Sequence, residues 1–154
     1  LSGGVSTLDT VQESEQGMNF GVHVGTHFAL SDASRFDVML GVKRLADIDI
    51  EATAGNFTDN IFSYQIVNRF GLDLGGLDLM FKLGGHYWDV EREYSTGGKG
   101  SVDGFGFLYG VGADVWLTDG VRFGLDVTRY GMEKSKVNYD ASLTAVDLSL
   151  SFVF

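Results

Sequence analysis

Apolar and polar residues alternate along most of this chain. One stretch has an apolar residue at every second position: Phe105, Phe107, Tyr109, Val111, Ala113, Val115 and Leu117. Between them, on the other face, stand Gly104, Gly106, Leu108, Gly110, Gly112, Asp114 and Trp116. A period of two is that of a β-strand. The run is longer than an ordinary strand of about five or six residues, and it suffices for the roughly nine to eleven residues with which a tilted strand crosses a bilayer.

The same period recurs, and the links between the runs alternate in length. Further apolar faces begin at Phe20, Phe36, Phe62, Leu77, Val121 and Val146, and the opening SGGVSTL (2–8) reads as a shortened first strand. Short turns fall at 31–34, 74–76 and 118–120, and long polar segments at 9–18, 51–60, 93–103 and 132–140. We predict an all-β fold, a closed antiparallel transmembrane barrel of eight strands with short periplasmic turns and longer extracellular loops.

Length and composition predict a single domain over residues 1–154. The chain has no Cys, which excludes disulfides, and no run of the roughly 18 apolar residues that a membrane-spanning helix needs. Its formal charge is -10 and it has no basic stripe, so nucleic acid is not expected as a partner. It opens on Leu1 without an initiator Met, from which we expect a processed or trimmed N-terminus.

The composition of the two faces predicts which one lines the lumen. A soluble barrel also alternates, so alternation alone does not decide. The polar face carries charged residues, all three His and many glycines: Gly21, Gly25, Gly41, Gly71, Gly84, Gly106, Gly110, Gly112 and Gly124. Glycine weakens a strand, but a narrow eight-stranded lumen requires small residues beside large charged ones. The apolar face is almost free of charge and has aromatic residues near both ends, as a lipid-facing band has.

The charged residues of the lumen face form the candidate site. The turns set a pairing in which Arg69 lies opposite Lys82 and Trp116 lies opposite Arg122. Buried charges are strongly disfavoured unless they are paired. We therefore predict a mutually satisfied structural or gating network of Lys43, Arg69, Lys82, Asp114, Arg122, Asp126 and Asp147. A plugged lumen is the main expectation, and a narrow gated pore is the alternative.

Metal, cofactor and catalytic sites have little support in the sequence, and none is predicted. His23 and His27 are four residues apart, which on a strand separates them by about 13 Å, too far to share one ion. The acidic run DIDIE (47–51) departs from the calcium-loop pattern at Ala52 and Thr58, so we expect a solvated rim there, with divalent-cation binding left open. All three His share the lumen parity, so no Ser/His pair faces lipid.

Over nearly the whole of residues 1–154, the chain resembles the OmpA-type and OmpX-type small outer-membrane barrels. AVDLSLSFVF (145–154) is similar to their last strand, and GVGADVWLTDGVRFGLDVTRYG (110–131) to their penultimate hairpin. The resemblance implies that periplasmic chaperones and the barrel assembly machinery recognise a C-terminal signal of Leu148, Leu150, Phe152 and Phe154. The chain departs from the family in its short first strand. No periplasmic peptidoglycan-binding domain is expected, since nothing follows Phe154.

The resemblance also implies a location and a role. We expect an integral, multi-pass protein of the bacterial outer membrane, in contact with membrane lipid and lipopolysaccharide. A structural or surface-interaction role is expected, in which acidic extracellular loops meet an extracellular ligand or a host surface. Fold alone does not set function. The alternatives are a small porin-like channel and, less favoured, a lipid A-modifying enzyme.

Overall fold

The fold is a closed barrel of eight antiparallel strands in chain order. The computed structural model describes residues 1–10, 14–52, 55–134 and 139–152. The strands are β1 (Ser2–Thr10), β2 (Ser14–Ser31), β3 (Ser34–Ala52), β4 (Gly55–Asp73), β5 (Leu77–Tyr94), β6 (Lys99–Thr118), β7 (Val121–Lys134) and β8 (Tyr139–Phe152). Each strand pairs with its neighbour in the chain, and β1 also pairs with β8. The predicted fold class is confirmed, including the short first strand.

The strand register fixes the tilt of the barrel. A row of directly paired residues leaves β2 at Thr26, crosses every strand, and returns to β2 at Gln16, ten residues away. With usual strand dimensions, this offset tilts the strands by about 40° from the barrel axis, as expected for small barrels. Each step to the next strand along such a row therefore climbs about 3 Å toward the loop end.

Alternation separates an apolar outer face from the lumen. On β8, Leu148 and Phe152 are 53% and 56% exposed on the outer face, whereas Asp147 on the inner face is 3% exposed. Leu150 is half-buried on the outer face, and Phe154 lies outside the described residues. The exposed apolar band continues around the barrel through Phe20, Val24, Leu40, Ile66, Leu83, Phe107, Val127 and others. An apolar belt of this extent matches the hydrocarbon core of a bilayer.

Aromatic residues contact one another at both margins of this band. Toward the loop end, the ring centroid of Tyr87 lies 6.2 Å from that of Tyr64 and 5.2 Å from that of Phe105. Toward the turn end, the centroids of Phe28 and Phe36 are 6.5 Å apart. Two aromatic margins of this kind are typical of the water interfaces of a membrane barrel.

The short turns form where the sequence predicts them. Between β4 and β5, Gly75 and Gly76 adopt φ values of 87° and 105°, which favour glycine. The Asp73 carboxylate accepts hydrogen bonds from both backbone N–H groups, at 3.1 Å from Gly76 and 2.7 Å from Gly75. These bonds lower the pKa of Asp73, because they stabilise its charged form.

At the opposite end, the strands continue into the polar segments predicted as loops. The segment 93–103 is mostly strand, since β5 extends to Tyr94 and β6 begins at Lys99. The Lys99 ammonium pairs with the Glu93 carboxylate across this hairpin, which raises the pKa of Lys99. Backbone pairing does not depend on side-chain polarity, so the ladder persists above the apolar band. None of the described residues belongs to a helix long and apolar enough to cross a membrane.

Candidate functional site

Three arginines converge on one carboxylate in the turn half of the lumen. Asp114 of β6 is 2% exposed. Its carboxylate accepts hydrogen bonds from the guanidinium of Arg69 at 2.9 Å and from that of Arg35 at 3.0 Å. A third guanidinium, that of Arg122, lies 3.8 Å away. The three arginines come from β4, β3 and β7, so the cluster spans the interior and ties distant strands together.

Three members of this cluster, Arg35, Asp37 and Asp78, are missing from the sequence-predicted network. Arg35 forms an ion pair with Asp78, which also accepts a hydrogen bond from the Trp116 indole at 3.1 Å. Arg35 and Asp78 have the lumen parity but lie next to turns, where a charged residue is usually solvated. Asp37, on the lumen face in the sequence, lies 2.7 Å from His27 and 3.7 Å from Arg122. The turn-side cluster thus comprises Arg35, Arg69, Arg122, Asp37, Asp78 and Asp114.

Two lysine–aspartate pairs lie above the turn-side cluster. Lys82 Nζ is 2.8 Å from Asp126 Oδ1, and Lys43 forms an ion pair with Asp147. Lys43 also lies over the ring of Tyr130, 5.7 Å from its centroid. The seven sequence-predicted residues therefore all face the lumen, but they divide between two layers.

Glycines make room for these carboxylates. A Cβ atom on Gly124 would collide with the Asp114 carboxylate, and one on Gly112 would collide with that of Asp126. Glycine at these two inward positions therefore serves the close approach of charged groups rather than backbone flexibility.

An apolar cluster fills the loop half of the lumen. Its largest side chain, Trp88, is fully buried, and a bulge between Arg44 and Ala46 turns both Leu45 and Ala46 inward. The plug cluster consists of Leu8, Leu45, Ala46, Ile61, Val67, Trp88, Val90, Leu108, Tyr130, Met132, Ala141, Leu143 and Ala145, each at most 4% exposed. The expectation of a polar lumen missed this layer. The sequence signal for it is the apolar character of inward positions beyond His86.

Below the plug cluster, the lumen is not completely filled. A cavity of about 660 Å³ lies among the charged residues, and its lining includes His27, Lys82, Asp126 and Tyr130. The arrangement is a charged chamber beneath a buried apolar layer.

The three histidines have separate partners. His23 lies 3.2 Å from Gln65, His27 pairs with Asp37, and His86 lies 3.0 Å from Ser63 and 3.1 Å from the Gly131 carbonyl. Among the described residues, no three metal-ligating side chains come close enough to hold an ion. The acidic side chains of 47–51 lie outside the described residues.

The Lys82–Asp126 pair gives a direct test of the network. We expect Lys82→Met and Asp126→Asn each to destabilise the barrel, and the double variant to cost less than their sum by about 0.5–3 kcal/mol. The reason is that each single change leaves one buried charge unpaired. Urea titration in lipid vesicles gives the coupling.

The exposed Lys99–Glu93 pair is the matched control for this cycle. Its double variant, Lys99→Met with Glu93→Gln, should show no measurable coupling, since both groups are in water. A Lys82–Asp126 coupling equally close to zero would mean that the lumen charges are hydrated independently.

Comparisons with known proteins show which solved structures share this architecture. No protein-family model and no curated protein matches the sequence. Among solved structures, Neisserial surface protein A matches with a TM-score of 0.77 at 10% identity, over 99% of this chain and 94% of that one. The chain has the fold of a small bacterial outer-membrane β-barrel. The barrel also matches Ail, the attachment invasion locus protein of Yersinia pestis, with a TM-score of 0.58 at 12% identity, over 98% of this chain and 94% of that one.

A third similar structure bears on chemistry. The outer membrane enzyme PagL matches the barrel with a TM-score of 0.60 at 12% identity, over 100% of both chains. The TM-scores of these three matches establish the shared fold, and the matched structures support the predicted location in a bacterial outer membrane. Because one of these similar barrels is an enzyme, the absence of enzymatic activity stays a prediction.

Proposed function

We propose that this protein is a plugged outer-membrane scaffold with a structural or surface-interaction role, and not a pore. The observation that carries the proposal is the plug cluster, which occupies the loop half of the lumen with side chains at most 4% exposed. Ion pairs occupy the turn half. An ion crossing the lumen would have to break the Arg–Asp cluster and then displace a buried apolar layer, and both steps are costly.

The external hairpins support a surface-interaction role. The β5–β6 hairpin carries Glu91, Glu93 and Asp103 on the outer face beyond the apolar band, in a chain of formal charge -10. One Ail structure contains the heparin analogue sucrose octasulfate. The acidic hairpin here would repel such a polyanion, so the partner that we propose for this surface is neutral or cationic.

The enzyme alternative has one geometric feature in its favour and two against it. Ser63 and His86 lie within hydrogen-bond distance, as in a Ser–His nucleophile pair. Ser63 is fully buried and His86 is 3% exposed, so a lipid substrate has no access to them. The other two histidines of the chain, His23 and His27, also face inward. The pair is better explained as packing beneath the plug cluster.

Conductance distinguishes the plugged scaffold from the channel. We expect the folded protein to give no stable current steps in planar bilayers. Its folding is checked first by gel migration before and after heating. Trp88→Ala, which removes the largest side chain of the plug cluster, should introduce intermittent current if that cluster is the closure. Stable, ion-selective steps from the wild-type protein would instead establish the pore. Mass spectrometry of lipid A from cells with and without the protein tests the enzyme alternative.

A further inference from the structure

A groove crosses the outer face of the barrel from β2 to β8. Its volume is about 1740 Å³. Its floor is the bare backbone at Gly85 and Gly131, which share one row of the sheet with the outward side chains of Ile66, Phe107 and Ser142. Its upper edge is the contacting aromatic set Tyr64, Tyr87 and Phe105, and its lower edge is Asn68, Leu83, Tyr109 and Arg129.

The groove exists because two floor positions have no side chain. A Cβ atom on Gly85 would have only the Gly106 carbonyl nearby, at 3.9 Å, and one on Gly131 only that of Phe107, at 3.7 Å. The inward Gly106 and Gly110, by contrast, face backbone atoms that leave no space for a Cβ. Glycine in a strand is destabilising, so packing does not account for Gly85 and Gly131.

An exposed cation, Arg129 of β7, lies on the lower edge of the groove near β8. Arg129 lies on the outer face, and its guanidinium donates a hydrogen bond to Ser142 Oγ at 2.8 Å. Within the described part of the chain, no carboxylate lies within ion-pair distance of Arg129. Glu133 is four residues farther along β7, about 13 Å away.

The groove descends from the level of the membrane interface into the apolar band, as the acyl chain of a membrane lipid does. Along the paired row from Asn68 to Arg129, the outer face climbs by about 9 Å over three strands toward the loop end. Asn68 lies among apolar residues of the band, whereas Arg129 lies level with the aromatic margin. A lipid with its headgroup at the interface places its acyl chain along this descent.

We infer that the groove binds one acyl chain of a phosphorylated lipid of the loop-side leaflet, with the phosphate on Arg129 and Ser142. The inference rests on the proposed insertion into the outer membrane. A guanidinium binds phosphate through charge-assisted, bidentate hydrogen bonds. The Glu133 carboxylate repels the phosphate from the upper end and so favours its place at Arg129. The chain fills the space above the two floor glycines.

Native mass spectrometry of the detergent-folded barrel tests both halves of the site. The probes are dioleoyl phosphatidic acid and dioleoylglycerol, which differ only in the phosphate. We expect the wild-type protein to bind phosphatidic acid at least about tenfold more tightly than dioleoylglycerol, which is the usual effect of a charge-assisted hydrogen bond. Arg129→Gln should abolish that preference while diacylglycerol is still retained. Gly85→Leu should weaken the retention of both lipids by filling the floor.

Two variants outside the groove are the matched controls. Arg44→Gln changes the other outward arginine, which is on β3 and hydrogen-bonds Asn60. Gly3→Leu fills an outer-face glycine of β1, which also has room for a side chain. Both should retain the lipids as wild type does. Effects equal to those of the groove variants, or no preference for the phosphate in wild type, would overturn the inference.

Folding is checked separately, by gel migration before and after heating. If Gly85→Leu does not fold, Gly131→Leu makes the same test at the second floor glycine. A wild-type protein that never enters lipid vesicles would refute the proposed function. A protein that enters vesicles but binds both probes alike would refute only the groove.

Discussion

Replacing Asp114 with Asn should lower the free energy of unfolding by about 3–5 kcal/mol, the usual cost of breaking a well-buried ion pair. Asn keeps the shape of the side chain but removes the charge that Arg35, Arg69 and Arg122 share. Three guanidiniums then repel one another in a confined space. Urea titration of the barrel in lipid vesicles measures the loss.

Asp119→Asn is the matched control, since it makes the same chemical change in the exposed turn of the same hairpin. Its effect should stay within about 0.5 kcal/mol. Adding Arg69→Met to Asp114→Asn should restore part of the lost stability, because one excess cation is removed. A loss below about 1 kcal/mol for Asp114→Asn would show that water, not the cluster, compensates these charges.

Arginine at Leu148 should lower stability by about 2–4 kcal/mol, provided that this position lies near the bilayer midplane. Leu148 is 53% exposed on the outer face of β8, where a guanidinium would enter hydrocarbon. The measurement is again urea unfolding in vesicles, with Leu148→Ala as the baseline for the lost apolar side chain.

Two further arginine variants test face and depth on the same strand. Thr144→Arg lies on the same outer face, four residues toward the loop end, and should cost only about 0–1 kcal/mol near the interface. Ser149→Arg points inward, beside Asp114 across Gly124, and should act through lumen crowding without reducing insertion. Equal insertion defects for Leu148→Arg and Ser149→Arg would contradict the face assignment, because a one-residue shift exchanges the two faces of a strand.

The sequence predicted the strands, their faces and much of the local pairing. Arg69 lies opposite Lys82, and Trp116 opposite Arg122, as the turns required. These features are local, because a period of two assigns faces and a tight turn fixes the register of the strands that it joins. The bulge between Arg44 and Ala46 was not predictable in this way. It inserts an extra inward residue, and the alternation of apolar and polar residues does not mark its position.

What the tertiary structure alone decided is which distant residues meet. The ten-residue offset on closure sets the tilt, and the tilt brings Arg35, Asp78 and Asp114, from three strands, to one level of the lumen. The pairings of β5 with β6 and of β6 with β7 bring Gly85 and Gly131, two strands apart, to one groove on the outer face. The sequence by itself determined the two faces, because side-chain alternation is a property of each strand. Contacts across the lumen and between non-adjacent strands depend on barrel closure, a global constraint that no single segment carries.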